Sequence, residues 1–325
     1  MSTQTRVGAF ATEAPTAASD GAVARRAGVS PTRQKPFTPW LFLLPYLLLF
    51  TVFVIVPSVF GIWISLHDWD FLLPNKPWVG LQNYKDLFDP ESVTFPDFWN
   101  GMKNTAIFTV ASVPFLVLVP LGIALLLNRK FPARTFYRAM IFAPFVLGIA
   151  VIGVLFRYLL DSQFGLINWF LGLFGIPPVG WTQTQPWAWV ALVGLTIWWT
   201  LGFNTVIFLA GLQGIPRDYY EAASLDGAGA WGKFTNVTIP GLRNIFLFII
   251  TTTTLASANM FGQAYLVTNG GPGESTRTAL IVMLQEGLRS FKMGSATAMS
   301  YVLAVCLAIV SVINFFAFRE TEVKK

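Results

Sequence analysis

The sequence has one cysteine, Cys306, and one histidine, His67, in 325 residues. One cysteine cannot build a disulfide framework or a thiolate metal site, and one histidine cannot build a centre of several imidazoles. Charged residues make up only 12% of the chain, against about 25% in soluble domains. Hydrophobic residues make up 54%. So few charges could not keep so apolar a surface in solution, and the composition predicts an integral membrane protein.

The chain carries a formal net charge of +6. In a membrane protein, Lys and Arg usually mark cytoplasmic loops, so we predict no nucleic-acid partner. Residues 1–36 are polar and lack an apolar stripe, and we expect them to form a disordered cytoplasmic tail. Residues 37–320 then form the membrane domain, and residues 321–325 a cytoplasmic end.

Six apolar runs are long enough to cross a bilayer, which takes about 20 residues. They are roughly Trp40–Leu66, Thr105–Leu127, Tyr137–Leu160, Trp187–Leu212, Ile245–Val267 and Ala296–Phe318. Two further pieces, Leu166–Phe174 and Ala279–Leu284, are too short, and we expect them to be interfacial or re-entrant. If both termini are cytoplasmic, Lys and Arg are more frequent in the cytoplasmic segments than in the outer ones, so we predict that orientation. The six runs contain no Asp, Glu or His, which argues against a proton-coupled carrier.

The connection between the fourth and fifth runs, about 215–240, has the pattern of a helix–turn–helix. Pro216 suits a helix start, and Arg217–Leu225 is a good short helix. Gly227 can adopt the left-handed conformation that ends a helix. Trp231, Phe234 and Val237 then recur at helical spacing, and we expect Pro240 to interrupt the second helix.

This connection resembles the E-A-A motif of permease subunits of ATP-binding-cassette (ABC) importers. The matching residues are Glu221-Ala222-Ala223, Gly227 and Ile239-Pro240, with Asp226 and Phe234 beside them. Gly80-Leu81-Gln82-Asn83-Tyr84 is similar to the first outer loop of the sugar-importer class. Thr268-Asn269-Gly270-Gly271-Pro272 is similar to the signature of first subunits of the maltose-permease type. The resemblance covers about residues 38–320.

The resemblance implies an all-α type I ABC importer permease with six transmembrane helices, in the bacterial inner membrane. It also implies a second homologous permease, two copies of a cytoplasmic ABC ATPase and an extracytoplasmic sugar-binding protein. ATP and Mg would be used by the ATPase, and we expect this chain to bind no cofactor. The residues that would contact the ATPase are Glu221, Ala222, Ala223, Asp226, Gly227, Phe234 and Pro240. Of these, Glu221 would pair with a basic group in the ATPase cleft. Phe234 would anchor the loop either to the ATPase or to the membrane helices.

Candidate sugar contacts lie on the two runs that flank this connection. Trp198, Gly202 and Thr205 share one helical face, where Gly202 would leave room for the ligand. In the next run, Thr253, Ser257 and Met260 share a face, and Asn259 and Gln263 form a second polar stripe. By resemblance, the Trp198 and Thr253 faces are the sugar-facing ones. Small and hydroxyl residues are also common where membrane helices pack together, so a packing role stays open.

We therefore predict a subunit that forms half of the pathway of an ATP-driven sugar or oligosaccharide importer and is not an enzyme. One alternative keeps the machine and changes the cargo to glycerol phosphate or another polyol. A second alternative is a stand-alone channel or secondary carrier, which would transport without an ATPase.

Overall fold

A computed structural model of the protein describes residues 38–319. The predicted tail (1–36) and the predicted cytoplasmic end (321–325) lie outside these residues. The chain divides into two compact units, the second of which begins at Val56. The part of the first unit that is described is one α-helix followed by a π-helical turn.

The described residues form α-helices joined by turns. In chain order the helices are α1 Thr38–Phe50, α2 Val56–Ser65, α3 Gln82–Asp86, α4 Thr94–Leu127, α5 Arg134–Val146, α6 Ile149–Leu159, α7 Leu166–Gly172, α8 Trp187–Gly214, α9 Arg217–Leu225, α10 Ala230–Lys233, α11 Ile239–Gly241, α12 Arg243–Ala258, α13 Ala279–Leu284 and α14 Met293–Arg319. The π-helical segments are Thr51–Ile55, Phe234–Thr238, Ala264–Thr268 and Gln285–Arg289.

Four stretches of residues 38–319 are long and apolar enough to cross a membrane. They are Trp40–Ser65, Thr94–Leu127, Trp187–Gly214 and Met293–Ala317. The number rises to as many as six if each of two bent helix pairs is counted as one span. The pairs are Arg134–Val146 with Ile149–Leu159, and Ala230–Gly241 with Arg243–Ala258. The prediction of a helical, multi-spanning membrane protein is therefore confirmed, and the two remaining predicted spans are interrupted rather than straight.

The third predicted span, Tyr137–Leu160, is wrong as a continuous helix. It consists of α5 and α6, which meet at an angle of 97°. Leu147 and Gly148 have extended backbone between them. Pro144 lacks an N–H and weakens the helix just before this point. The carbonyl of Leu147 accepts a hydrogen bond from the indole N–H of Trp199 at 3.1 Å, which satisfies one group that the break exposes.

The fifth predicted span, Ile245–Val267, is also wrong as a continuous helix. Helix α12 ends at Ala258, and a π-helical turn begins only at Ala264. The side-chain amide of Asn259 donates to the Leu255 carbonyl at 2.8 Å, so it competes with the backbone at the helix end. The Met260 carbonyl accepts a hydrogen bond from Thr278. At its other end α12 is bent by 67° from the helix that runs to Gly241.

Helix α4 supports three clusters of buried side chains. Near its start, Phe98 packs against α13 and α14. Further along, Phe108 joins α6, α8 and the turn after α12. Near its end, Leu121 joins α8 and α12. At about 1.5 Å per residue, α4 is about 51 Å long and exceeds the roughly 30 Å hydrocarbon layer.

The two short apolar pieces are both helices. The piece at Leu166–Phe174 is α7, whose side chains are mostly exposed. The piece at Ala279–Leu284 is α13, which packs between α4 and α14 with Ile281 fully buried. Because α13 is enclosed by protein, its apolar composition reflects core packing and not contact with the membrane interface.

Candidate functional site

The connection between α8 and α12 is a helical loop. Ile215 is buried after the end of α8, and Pro216 precedes the first residue of α9. Gly227 follows α9 with a φ of +79°, a conformation that side chains rarely adopt. The N–H of Ala228 donates to the Ala223 carbonyl at 2.9 Å, which closes the end of the helix. The predicted bounds of the first helix and the predicted glycine stop are confirmed.

The second half of this loop differs from the prediction. The helix that starts at Ala230 runs through Pro240 and ends at Gly241, so Pro240 does not interrupt it. The turn before Pro240 is a π-helical segment, Phe234–Thr238. Such a turn has a wider hydrogen-bond spacing, and it accommodates a residue that has no N–H to donate.

One face of the loop is attached to the membrane helices. Tyr220 places its hydroxyl 3.0 Å from the Thr238 hydroxyl, which joins the two halves of the loop. Tyr220, Phe234 and Val237 pack on the cluster formed by α4, α8 and α12. Of the two contacts expected for Phe234, the structure therefore shows the one with the membrane domain of its own chain.

The opposite face of the loop is exposed. Glu221, Ala222, Asp226 and Pro240 are exposed, and Ala223 is half-buried. Leu225 is 90% exposed. This apolar residue is not among the candidate contacts with the ATPase that were predicted from the sequence. Among residues 38–319 no ion pair is formed by Glu221. The loop thus presents an acidic group and an apolar side chain side by side.

A cavity of about 470 Å³ lies between the two helices that lead into this loop. Helix α8 contributes Thr196, Trp199, Thr200, Phe203 and Asn204. These are central residues of a 28-residue spanning helix, so the cavity lies well inside the membrane domain. The other walls come from α4, the α5–α6 break, α12 and the turn that follows α12. They include Phe108, Leu116, Phe145, Ile149, Thr252, Thr253, Ala256, Ser257, Asn259, Met260, Phe261, Gly262 and Gln263.

The cavity is lined by aromatic rings and uncharged polar groups. None of its lining residues is Asp, Glu, Lys, Arg or His. The hydroxyls of Thr196 and Thr200 donate to carbonyls of their own helix. Their oxygen lone pairs therefore remain available as acceptors. The side chain of Gln263 has no hydrogen-bond partner within the described part of the chain, so its amide can donate and accept.

The structure places the predicted sugar contacts on two separate surfaces. Thr253, Ser257, Asn259, Met260 and Gln263 all line the cavity. Ser257 is buried there and accepts a hydrogen bond from the Ser112 hydroxyl at 3.0 Å.

The three candidates on α8 point elsewhere. Gly202 is packed against the backbone of Ile141 and Phe142 in α5, so it leaves no room for a ligand. Thr205 is buried, and the Trp198 ring lies 5.4 Å from the Phe156 ring with the two ring planes tilted by 48°. The residues of α8 that reach the cavity, such as Trp199, lie one position further along, which is about 100° around the helix. As sugar contacts, all eight candidates stay predictions.

The Thr268–Gly273 turn is held firmly to α4. The side-chain amide of Asn104 donates to the carbonyls of Glu274 and Arg277 at 2.9 and 3.0 Å. Arg277 forms ion pairs with Asp97 and Glu274. The Thr276 hydroxyl lies 2.7 Å from that of Thr268. The role of Asn104 in attaching this turn follows only from the fold, because the two segments are about 170 residues apart in the sequence.

A membrane domain with an uncharged cavity between its helices and a helical loop between α8 and α12 is typical of transport proteins. Residues 105–320 match the family described as the binding-protein-dependent transport system inner membrane component. The chain belongs to this family. It is therefore a multi-pass inner-membrane permease subunit of an ABC importer, and not an enzyme.

Individual relatives agree over most of the chain. The trehalose/maltose transport system permease protein MalF of Thermococcus litoralis is 33% identical over 83% of this chain and 91% of its own length. The lactose transport system permease protein LacF of Rhizobium radiobacter is 33% identical over 87% and 94%. A chain of a bacterial ABC transporter that imports the acidic polysaccharide alginate has the same fold. Its TM-score is 0.74 at 22% identity, over 87% of this chain and 96% of that one.

Proposed function

We propose that this chain forms half of the pathway of an importer for a neutral sugar or short oligosaccharide, driven by ATP that a partner hydrolyses. The cavity between α8 and α12 carries this proposal. Sugars are bound by hydrogen-bonding groups together with aromatic rings that stack on their C–H faces. The cavity offers both, in Thr200, Asn204 and Gln263 and in Trp199 and Phe203, and it offers no charge.

The names of the relatives support a saccharide as cargo, since two of them are described as transporting trehalose and maltose or lactose. A phosphorylated polyol such as glycerol phosphate would need a cationic group near the pathway. Within the described chain no Lys or Arg lines the cavity. A neutral polyol remains compatible with the lining, and transport assays with both classes of solute separate them.

Coupling to the ATPase is assigned to the exposed face of the loop at 215–240. Glu221 is available for a basic group of the ATPase, and Leu225 can enter an apolar pocket beside it. The small side chain of Ala222 next to Glu221 permits close approach of the ATPase to the helix backbone. We assign two roles to motif residues: Glu221 contacts the partner, while Phe234 fixes the loop to its own membrane domain.

The assembly we propose contains a second homologous permease, two copies of a cytoplasmic ABC ATPase and an extracytoplasmic sugar-binding protein. ATP and Mg belong to the ATPase subunits, and this chain binds neither. One neighbouring structure is an alginate transporter in complex with a periplasmic protein that carries an alginate pentasaccharide, which supports a binding protein as a partner.

Affinity purification from native membranes in mild detergent tests this assembly. We expect a second permease and an ABC ATPase to co-purify, and ATP-dependent uptake of a sugar after reconstitution with the binding protein. Recovery of the chain alone, with solute transport that needs no ATP, would instead establish a channel or secondary carrier.

A charge reversal in the loop tests the coupling. Glu221→Lys should release the ATPase from the purified complex while the chain still inserts into the membrane. Glu91→Lys makes the same charge change at an exposed position outside the loop and serves as the matched control. Equal retention of the ATPase by both variants would overturn the role of Glu221.

A further inference from the structure

The connection between α6 and α8 has an unusual composition for a segment outside the spanning helices. Between Asp161 and Arg217 the sequence contains no Asp, Glu, Lys, Arg or His. The connection between α2 and α4, by contrast, carries charged residues throughout, among them Lys76, Asp89 and Glu91. A water-exposed connection normally contains such charges. The charge-free connection, residues 162–186, therefore has a different environment from its neighbour.

This connection is folded rigidly around Asn168, which is buried. The Asn168 amide donates to the Val179 carbonyl at 2.9 Å and accepts hydrogen bonds from the Val179 N–H and the Trp181 indole. Ile167 and Trp181 pack on the core formed by α4, α6 and α8. At Gly165 an added Cβ would lie 2.7 Å from the Leu159 carbonyl oxygen, so the chain comes very close to the end of α6. The orientation of α7 is thus fixed.

The outward side of α7 is an apolar surface, which we name the platform. It consists of five large side chains, each between 55% and 69% exposed: Leu166, Trp169, Phe170, Leu173 and Phe174. Leu166, Phe170 and Leu173 follow the spacing of one helical face. A contiguous patch of this kind is rarely left to water and marks an interaction site.

The surroundings of the platform identify what covers it. Tyr158 at the end of α6 and Trp187 at the start of α8 are exposed on either side of the connection. The platform therefore continues the apolar surface of two membrane helices at the level where they end. Trp and other aromatic residues are typical of this level, because the ring is apolar and the indole N–H reaches the headgroups.

We infer that the platform is embedded in the lipid bilayer interface, at the end of α8 opposite to the loop at 215–240. Helix α7 lies in that interface, with its apolar side about 5–10 Å into the headgroup–acyl boundary. Hydrogen bonds of Asn168 hold α7 to the protein, and Gln185 links the same connection to Ser275 beside the Thr268–Gly273 turn at 2.6 Å. Lipid at the platform thus contacts the connection 162–186, which is hydrogen-bonded to the segment beside the Thr268–Gly273 turn. This inference does not depend on the cargo.

A depth measurement with a fluorescent label tests the inference. Phe170→Cys is introduced together with Cys306→Ser, which removes the native cysteine, and is labelled with a nitrobenzoxadiazole (NBD) maleimide. The labelled chain is purified with its partner subunits and placed in phosphatidylcholine nanodiscs, where both membrane faces are accessible. Labelling of this chain is checked on a denaturing gel. Leu173→Cys provides a second platform position, and Glu91→Cys provides a water-exposed control.

We expect blue-shifted emission at positions 170 and 173. Quenching there should be stronger with lipids that carry a nitroxide at acyl carbon 5 than with lipids that carry it at carbon 16, and iodide should have little effect. Position 91 should show the reverse, with quenching by iodide. Quenching of positions 170 and 173 by iodide would place the platform in water and overturn the inference. Protection of both positions from every quencher would overturn it in favour of a protein partner.

Discussion

Replacement of Gly202 by alanine tests how α8 packs against α5. A Cβ at this position would lie 2.6 Å from the Ile141 carbonyl oxygen and 3.0 Å from the carbonyl carbon. Ordinary carbon contacts are about 3.5–4.0 Å. These are backbone atoms, so rotation of a side chain cannot relieve the overlap, and α5 must move away by roughly 1 Å.

The expected cost follows from two opposing effects. Overpacking of a well-packed site costs about 1–3 kcal/mol. Alanine in place of glycine recovers about 0.5–1 kcal/mol through its higher helix propensity. We therefore expect Gly202→Ala to lower the free energy of unfolding by up to about 2.5 kcal/mol. Valine should have a larger effect.

Gly194 on the same helix is the matched control. An added Cβ there meets no atom within 4 Å. Gly194→Ala should keep or raise stability, by up to about 1 kcal/mol. Denaturant unfolding of both variants in detergent, followed by tryptophan fluorescence, measures the difference. If Gly202→Ala were as stable as Gly194→Ala and changed only sugar uptake, the packing argument would be refuted and Gly202 would belong to the pathway.

Three further substitutions test other parts of the structure. Asn104→Ala removes the donor of the Glu274 and Arg277 carbonyls, which costs about 1–3 kcal/mol of stability for each carbonyl that stays buried. This variant should speed proteolysis within residues 268–278. Asn100→Ala, which removes only a long 3.4 Å contact to the same loop, should not. Ser257→Phe fills the cavity and should block sugar uptake while the ATPase still co-purifies; undiminished uptake would exclude this cavity from the pathway. Gly227→Val forces a β-branched residue to a φ of +79° and should abolish uptake, whereas Gly229→Val, at a φ of −71° with open space around it, should retain it.

Proline and glycine residues at helix ends allowed the bounds of some helices to be predicted from the sequence. Helix α9 begins after Pro216 and ends before Gly227, as predicted, because a proline and a left-handed glycine act through the backbone alone. The start of α8 at Trp187 was predicted by the apolar run that follows Pro186. Hydrophobicity gave six runs, which is the largest number of spans that the described helices allow. It could not distinguish a straight span from a broken one, as in α5 and α6.

The face of a helix that reaches a cavity depends on its neighbours. The sequence pattern put Trp198 and Gly202 on one face of α8, and this geometry is correct. It could not indicate that α5 would occupy that face, since α5 is brought there by the break at Leu147. For α12 the corresponding choice placed Thr253 and Ser257 at the cavity, where α4 and α8 leave space.

The continuity of α8 has a mechanical consequence. The same unbroken helix forms a wall of the cavity at Asn204 and enters the loop at 215–240 at Ile215, roughly 16 Å further along. Near its end, Gly211 lets Leu242 and Ile245 approach so closely that an added Cβ would lie 2.7 Å from the Ile245 side chain. Between the cavity and the loop, α8 is a continuous helix without a break at which it could bend. We therefore expect that a displacement of α9 by a bound ATPase would tilt α8 as a whole and move Trp199 and Phe203 at the cavity.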